Sequence, residues 1–182
     1  MKKIFFIRHG EGYHNLMNYN YHNWHLLYPR LTTNGINQCY KLKEKLKLEK
    51  FNLVIVSPLR RTLETAEYVF DKNNKFVANE DIREVLSNPC DLRESIPEIS
   101  KSYCYINFDK IPENESLEIK ESNENVSQRI ENFYDYLSKL PIGNYAVVSH
   151  FEFLKRFLIK YGKDMCIENV EFNNCECKIG VL

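Results

Sequence analysis

Three runs of consecutive apolar residues stand out along the chain: Ile4-Phe5-Phe6-Ile7, Leu53-Val54-Ile55-Val56 and Tyr145-Ala146-Val147-Val148. Each has strand length and no polar alternation, the pattern of a strand covered on both sheet faces. Between and after them lie amphipathic patterns that predict helices over 33–48, 58–71, 123–139 and 151–161. In the third, Val126, Ile130, Phe133 and Leu137 fall on one face at helical spacing. Pro58 suits the first turn of the second helix, with Ser57 placed to cap it. The stretch from Glu171 to Leu182 predicts one or two further strands. Residues 10–31 and 86–122 are polar and rich in Asn, Tyr and Pro, and read as long loops. Apolar strands alternating with helices predict an α/β three-layer sandwich, a mostly parallel mixed sheet with helices on both faces. No repeat or linker divides residues 1–182, which read as a single domain.

In such sheets ligands gather beyond the carboxyl ends of the strands. The three apolar runs end in Arg8-His9, in Ser57 followed closely by Arg60-Arg61, and in Ser149-His150. Charge balance limits what these residues can serve. Among 182 residues, Lys and Arg total 25 and Asp and Glu total 25, a formal net charge of zero. That argues against broad capture of nucleic acid or an anionic membrane, and leaves room for a local basic pocket. The first apolar run stops at Arg8, too short for a secretory signal, and no run approaches the roughly 20 residues of a membrane span. The six cysteines form no C-x-x-C pair and read as reduced thiols of a cytoplasmic protein.

An imidazole beside a guanidinium at a strand end can attack phosphorus while the cation holds phosphate oxygens. Arg60 and Arg61 open a helix, where free backbone N–H groups already favour anions, and His150 supplies another polar group. Donors gathered around a dianion stabilise the charge of phosphoryl transfer.

The string Arg8-His9-Gly10-Glu11, with Asn15 four residues on, resembles the signature of the histidine phosphatase superfamily, also called phosphoglycerate mutase-like. Leu31-Thr32, Gly35 and Gln38 are similar to its L-T-x-x-G-x-x-Q helix start. Ser57-Pro58-Leu59-Arg60-Arg61 with Thr65-Ala66 is similar to its S-x-L-x-R-x-x-x-T-A segment. Val147-Val148-Ser149-His150 resembles the strand ending in its second histidine, and Asn174-Cys175-Glu176 its final strand. The resemblance implies a phosphoglycerate mutase-like fold and a phosphoric monoester hydrolase of the histidine acid type. It implies that His9 is the nucleophile, that Arg8, Arg61 and His150 bind phosphate, and that Asn15 lies near the substrate phosphate. Glu84, in Ile82-Arg83-Glu84, matches the general acid, and Asp91 and Glu94 are its nearby competitors. A general acid needs a raised pKa, from burial or neighbouring carboxylates.

Two departures mark this chain. The segment from Val85 to Asp109 lacks the glycine and tryptophan-rich stretch of many members and resembles a divergent branch of plant and fungal broad-range phosphatases. Phe151 and Glu152 follow His150, where many members carry glycine. The resemblance implies a small phosphorylated metabolite or a phosphopeptide as substrate, and no cofactor. Phosphoglycerate mutase-type transfer is the alternative, and a phosphate-binding module without turnover ranks below both. His14, His22 and His25 read as structural or surface histidines, their spacing unsuited to a metal. Tyr13, Tyr19, Tyr21, Trp24 and Tyr28 read as aromatics packing their loop.

Overall fold

In the computed structural model the described residues are 1–16, 27–113 and 120–182. His22, His25, Tyr19, Tyr21 and Trp24 fall outside them. The chain runs β1 (Lys2–Arg8), α1 (Thr33–Leu46), β2 (Leu53–Val56), α2 (Arg60–Val69), β3 (Phe76–Ala78), α3 (Ile96–Ser102), β4 (Ile106–Asn107), α4 (Asn123–Lys139), β5 (Gly143–Ser149), α5 (Phe151–Tyr161) and β6 (Cys177–Val181). The strands form one sheet in the order β4-β3-β2-β5-β1-β6. All neighbours pair parallel except β6, which runs antiparallel to β1.

The wholly apolar strands follow from burial on both faces. Because side chains alternate along a strand, Ile7, Val54, Val56, Ala146 and Val148 point into one core, with Cys39 and Leu42 of α1 and Leu63 and Ala66 of α2. Ile4, Phe6, Ile55, Tyr145 and Val147 point into the other, against Val126, Ile130, Phe133 and Leu137 of α4 and Phe153 and Phe157 of α5. The predicted α/β sandwich with helices on both faces is therefore what the chain builds.

Register sets the site. Arg8 pairs with Ser149, and Val56 pairs with Val148. The ladder continues one residue further, with His9 N donating to Ser149 O at 3.0 Å and Ser57 N to Val148 O at 3.0 Å. His9, Ser57 and His150 thus emerge side by side at the carboxyl edge of the sheet.

Several expectations need correction. The loop expected over 86–122 contains α3 and β4, and β3 also went unpredicted. Helix α2 begins at Arg60, capped by Leu59 in extended backbone without a side-chain hydrogen bond, so Ser57 is not its cap. The Ser57 hydroxyl is engaged instead by His150 Nε2 at 2.8 Å. The C-terminal stretch forms one strand only, and Asn174-Cys175-Glu176 precedes it as a turn with Cys175 at a φ of 57°. That turn serves the site, since Cys175 N donates to His9 O at 3.1 Å. Among the described residues no helix is long and apolar enough to cross a membrane.

Candidate active site

The loop after β1 carries the leading residue, and its bracing explains three of the sequence motifs. Gly10 N donates to Thr65 Oγ1 at 3.0 Å, and Glu11 N to Gln38 Oε1 at 2.9 Å. Thr32 caps α1 by accepting from Gly35 N at 3.0 Å, and its hydroxyl donates to Glu11 Oε1 at 2.6 Å. Gly35 permits the close approach, because a Cβ there would lie 2.1 Å from Glu11 O. Asn15 Oδ1 accepts from Gly12 N at 3.0 Å and from Asn174 Nδ2 at 3.3 Å. Asn174 also reaches His9 O, at 3.3 Å, so Asn15 sits one residue's contact away from the His9 backbone.

His9 is 2% exposed, and its Nδ1 lies 2.7 Å from Gly10 O. A carbonyl only accepts, so Nδ1 carries the proton and Nε2 keeps its lone pair. Burial first, then the charges of Arg61, His14 and Arg8, push its pKa well below the usual histidine range. The ring is therefore neutral and nucleophilic at ordinary pH. The His150 ring lies 5.2 Å from it, centroid to centroid.

His150 is fully buried. Arg61 Nε donates to its Nδ1 at 3.2 Å, which makes Nε2 the donor to Ser57 Oγ. Arg61, 1% exposed, also donates through Nη1 to Cys90 O at 2.6 Å and through Nη2 to Asp91 Oδ1 at 3.2 Å. Arg8 donates through Nη1 to Phe172 O at 2.8 Å, while its Nε is buried with no partner. Its guanidinium stands 5.0 Å over the Phe151 ring. A buried guanidinium N–H without an acceptor is costly, and an arriving anion removes that cost.

Glu84 lies against the start of α5, directly after His150. Its Oε1 accepts from Val85 N at 2.8 Å and Phe153 N at 3.1 Å, and Oε2 from Glu152 N at 3.3 Å. The carboxyl therefore rests on the start of α5, with Oε2, the less bonded oxygen, free to hold a proton. Burial, reinforced by Asp91, raises its pKa against the opposing Arg61 charge and backbone donors. The two competitors have other partners: Asp91 pairs with Arg61, and Glu94 with Arg60. Arg60 is thereby tied down, whereas Arg61 faces the histidines. The Glu152 carboxylate binds Arg156 Nε at 2.7 Å along the outer face of α5, which neutralises the charge that follows His150.

His14, which reads from the sequence as a structural or surface histidine, is buried beside His9. It is 7% exposed, and its ring lies 5.3 Å from that of His9. A lone histidine in a polar stretch gives no signal of this placement, although it follows His9 by only five positions. Among the described residues no three His, Cys, Asp or Glu side chains group as a metal site.

The buried imidazoles make stability depend on pH. His9, His14 and His150 all have folded pKa values below the usual 6.5, each chiefly through burial. Their contribution is whole above the unfolded value and is lost as pH falls through about 6.5 toward the folded values. Thermal melts between about pH 8 and 6 should show Tm dropping with pH, three imidazoles outweighing the opposite contribution of the raised Glu84 carboxyl. A flat or rising Tm across that window contradicts the assignment of neutral buried rings.

A model of the histidine phosphatase superfamily (branch 1) matches residues 4–178. A phosphoglycerate mutase-like protein of Arabidopsis thaliana is 28% identical, covering 100% of this chain and 84% of its own length. A probable phosphatase of Schizosaccharomyces pombe is also 28% identical, over 82% of this chain and 74% of its own. The crystal structure of an ecdysone phosphate phosphatase from Bombix mori superposes with a TM-score of 0.71 at 15% identity. The superposition covers 98% of this chain and 88% of that one, a likeness of fold.

Proposed function

This chain belongs to branch 1 of the histidine phosphatase superfamily, and from that premise we propose that it hydrolyses phosphomonoesters through a phosphohistidine on His9. The observation that carries the proposal is the 2.7 Å contact of His9 Nδ1 with Gly10 O, which assigns the proton to Nδ1 and leaves the Nε2 lone pair for attack. Nε2 attacks phosphorus as the bond to the ester oxygen breaks, and Arg8 and Arg61 share the charge on the phosphoryl oxygens. Glu84 gives its proton to the departing oxygen, then takes one from water as that water displaces phosphate from His9. His150 and Asn15 complete the polar wall. The reading takes residues 1–182 as one catalytic domain, and no step in it calls on a cofactor or metal.

The raised Glu84 pKa and the depressed His9 pKa support these roles, because one group must start protonated and the other free. The proposed substrate is a small phosphorylated metabolite or a phosphopeptide. Nucleic acid and membrane are not among the proposed partners, given the zero net charge. The name of the Arabidopsis thaliana relative favours a second reading, transfer between positions of a bound phosphoglycerate. Isomerised 3-phosphoglycerate appearing faster than free phosphate selects that reading.

Glu84→Gln tests the acid. With an alkyl phosphate, whose leaving oxygen needs a proton, kcat/KM should fall by about 10²–10⁴-fold. With p-nitrophenyl phosphate, whose leaving group needs none, the first chemical step should change little. Equal losses of kcat/KM on both esters, or no loss on the alkyl ester, remove Glu84 from the acid role; kcat also contains the water step that the two esters share.

A further inference from the structure

We propose that His14 is a further phosphate-contacting residue, donating a ring N–H to an oxygen of the phosphoryl group held at His9. The inference rests on the phosphatase reading above and adds a group that the sequence motifs do not assign. Its first support is a census of polar atoms around the nucleophile. His9 Nδ1 is bound to Gly10 O, and both nitrogens of His150 are bound, to Ser57 and to Arg61. His14 Nδ1 and Arg8 Nε, by contrast, are buried without a partner. Buried polar atoms are almost always satisfied, so two open ones beside one nucleophile indicate a place for an anion.

The second support is how deeply the ring is held. His14 belongs to a short turn, Tyr13–Asn15, which is closed by Asn15 N donating to Gly12 O at 2.8 Å. A Cβ at Gly12 would lie 2.7 Å from His14 Nδ1 and 2.8 Å from its Cε1. Gly12 therefore leaves open the space beside His14 Nδ1, where any side chain would stand against the unpartnered nitrogen. With the ring at 5.3 Å from His9 and His150 at 5.2 Å, the nucleophile has an imidazole neighbour on each contact.

Electrostatics fit a neutral donor. Burial, then Arg61 and Arg8, lower the His14 pKa to about 2, so the ring adds no positive charge at working pH. The same two arginines that hold the phosphoryl group in the proposed mechanism thus act on His14, which places it in their field. A bystander ring that only fills space would need its shape and not its nitrogen.

The test uses the full chain with His14→Phe, which keeps a ring without a donor, and His14→Gln, which keeps an N–H donor. Inorganic phosphate binding by calorimetry is read beside kcat and KM for p-nitrophenyl phosphate. His14→Phe should weaken phosphate binding and lower kcat/KM by roughly 10- to 100-fold, while His14→Gln stays within about fivefold of wild type. A His14→Phe variant that melts and binds phosphate like wild type overturns the inference. Should that variant not fold, side-chain ¹⁵N spectra of the wild type decide. Phosphate should shift a His14 nitrogen into the hydrogen-bonded range, and an unmoved resonance overturns the inference. Calorimetry and spectra do not need turnover. Phosphate bound through His14 without hydrolysis of any ester would therefore end the phosphatase reading alone, and a wild type that binds no phosphate would end both.

Discussion

Replacing His9 with alanine should lower kcat/KM toward phosphomonoesters by about 10⁴-fold or more and leave the fold standing. No other described imidazole can take over the attack from the same place. His150 Nδ1 accepts from Arg61 and its Nε2 donates to Ser57, so neither nitrogen has a lone pair free. His14 stands on a separate turn, Tyr13–Asn15, its ring 5.3 Å from that of His9. The loop itself is held by backbone bonds that alanine preserves, His9 N to Ser149 O and Cys175 N to His9 O. Circular dichroism and thermal melts should therefore show a folded protein. Steady-state rates within tenfold of wild type would place the nucleophile elsewhere.

Arg61→Ala carries the second large effect, and it should strike stability and activity together. The guanidinium is 1% exposed and bonds Cys90 O, Asp91 Oδ1 and His150 Nδ1. Truncation leaves the Asp91 carboxylate buried without its cation, at a cost of about 3–5 kcal/mol. Ser87 N and Asn88 N still donate to Asp91 Oδ2, which favours the lower end of that range. Loss of a preorganised cation from the phosphoryl oxygens should lower kcat by a further 10²–10³-fold or so. The double variant Arg61→Ala with Asp91→Asn separates the two effects. Denaturant melts should recover part of the stability, and kinetics should recover none of the rate. A single variant within about 1 kcal/mol of wild type would show that the buried pair carries little weight.

The backbone of the site was legible in the sequence because its strands are buried on both faces. Double burial demands unbroken apolar runs, and β1, β2 and β5 have them, each ending in the residues that gather at the sheet edge. Helices α4 and α5 were legible for the same reason, as long stripes facing one core. The short elements were not. Strand β3 is three residues, and β4 two, lengths at which pairing with a neighbour decides the conformation. Helix α3 has seven residues with a proline in its first turn and no periodic stripe long enough to read.

Side-chain partners set a second limit. Ser57 before Pro58 satisfies the local rule for a helix cap, yet a histidine 93 positions away takes its hydroxyl. Glu152 stands where many members carry glycine, and its i, i+4 spacing to Arg156 gives the partner that takes its charge. His14 marks the hardest case. Its depth depends on a glycine two residues earlier and on a turn whose closure no spacing rule gives.

The central claim is that phosphorus bonds to His9 during turnover. Rapid acid-free quenching of wild type mixed with a ³²P-labelled phosphomonoester tests it most directly, followed by mapping of the labelled peptide. The account predicts an acid-labile, base-stable label on His9, formed at least as fast as phosphate is released and absent from His9→Ala. Phosphate release by wild type with no labelled protein at any time, or label on a residue other than His9, would contradict it.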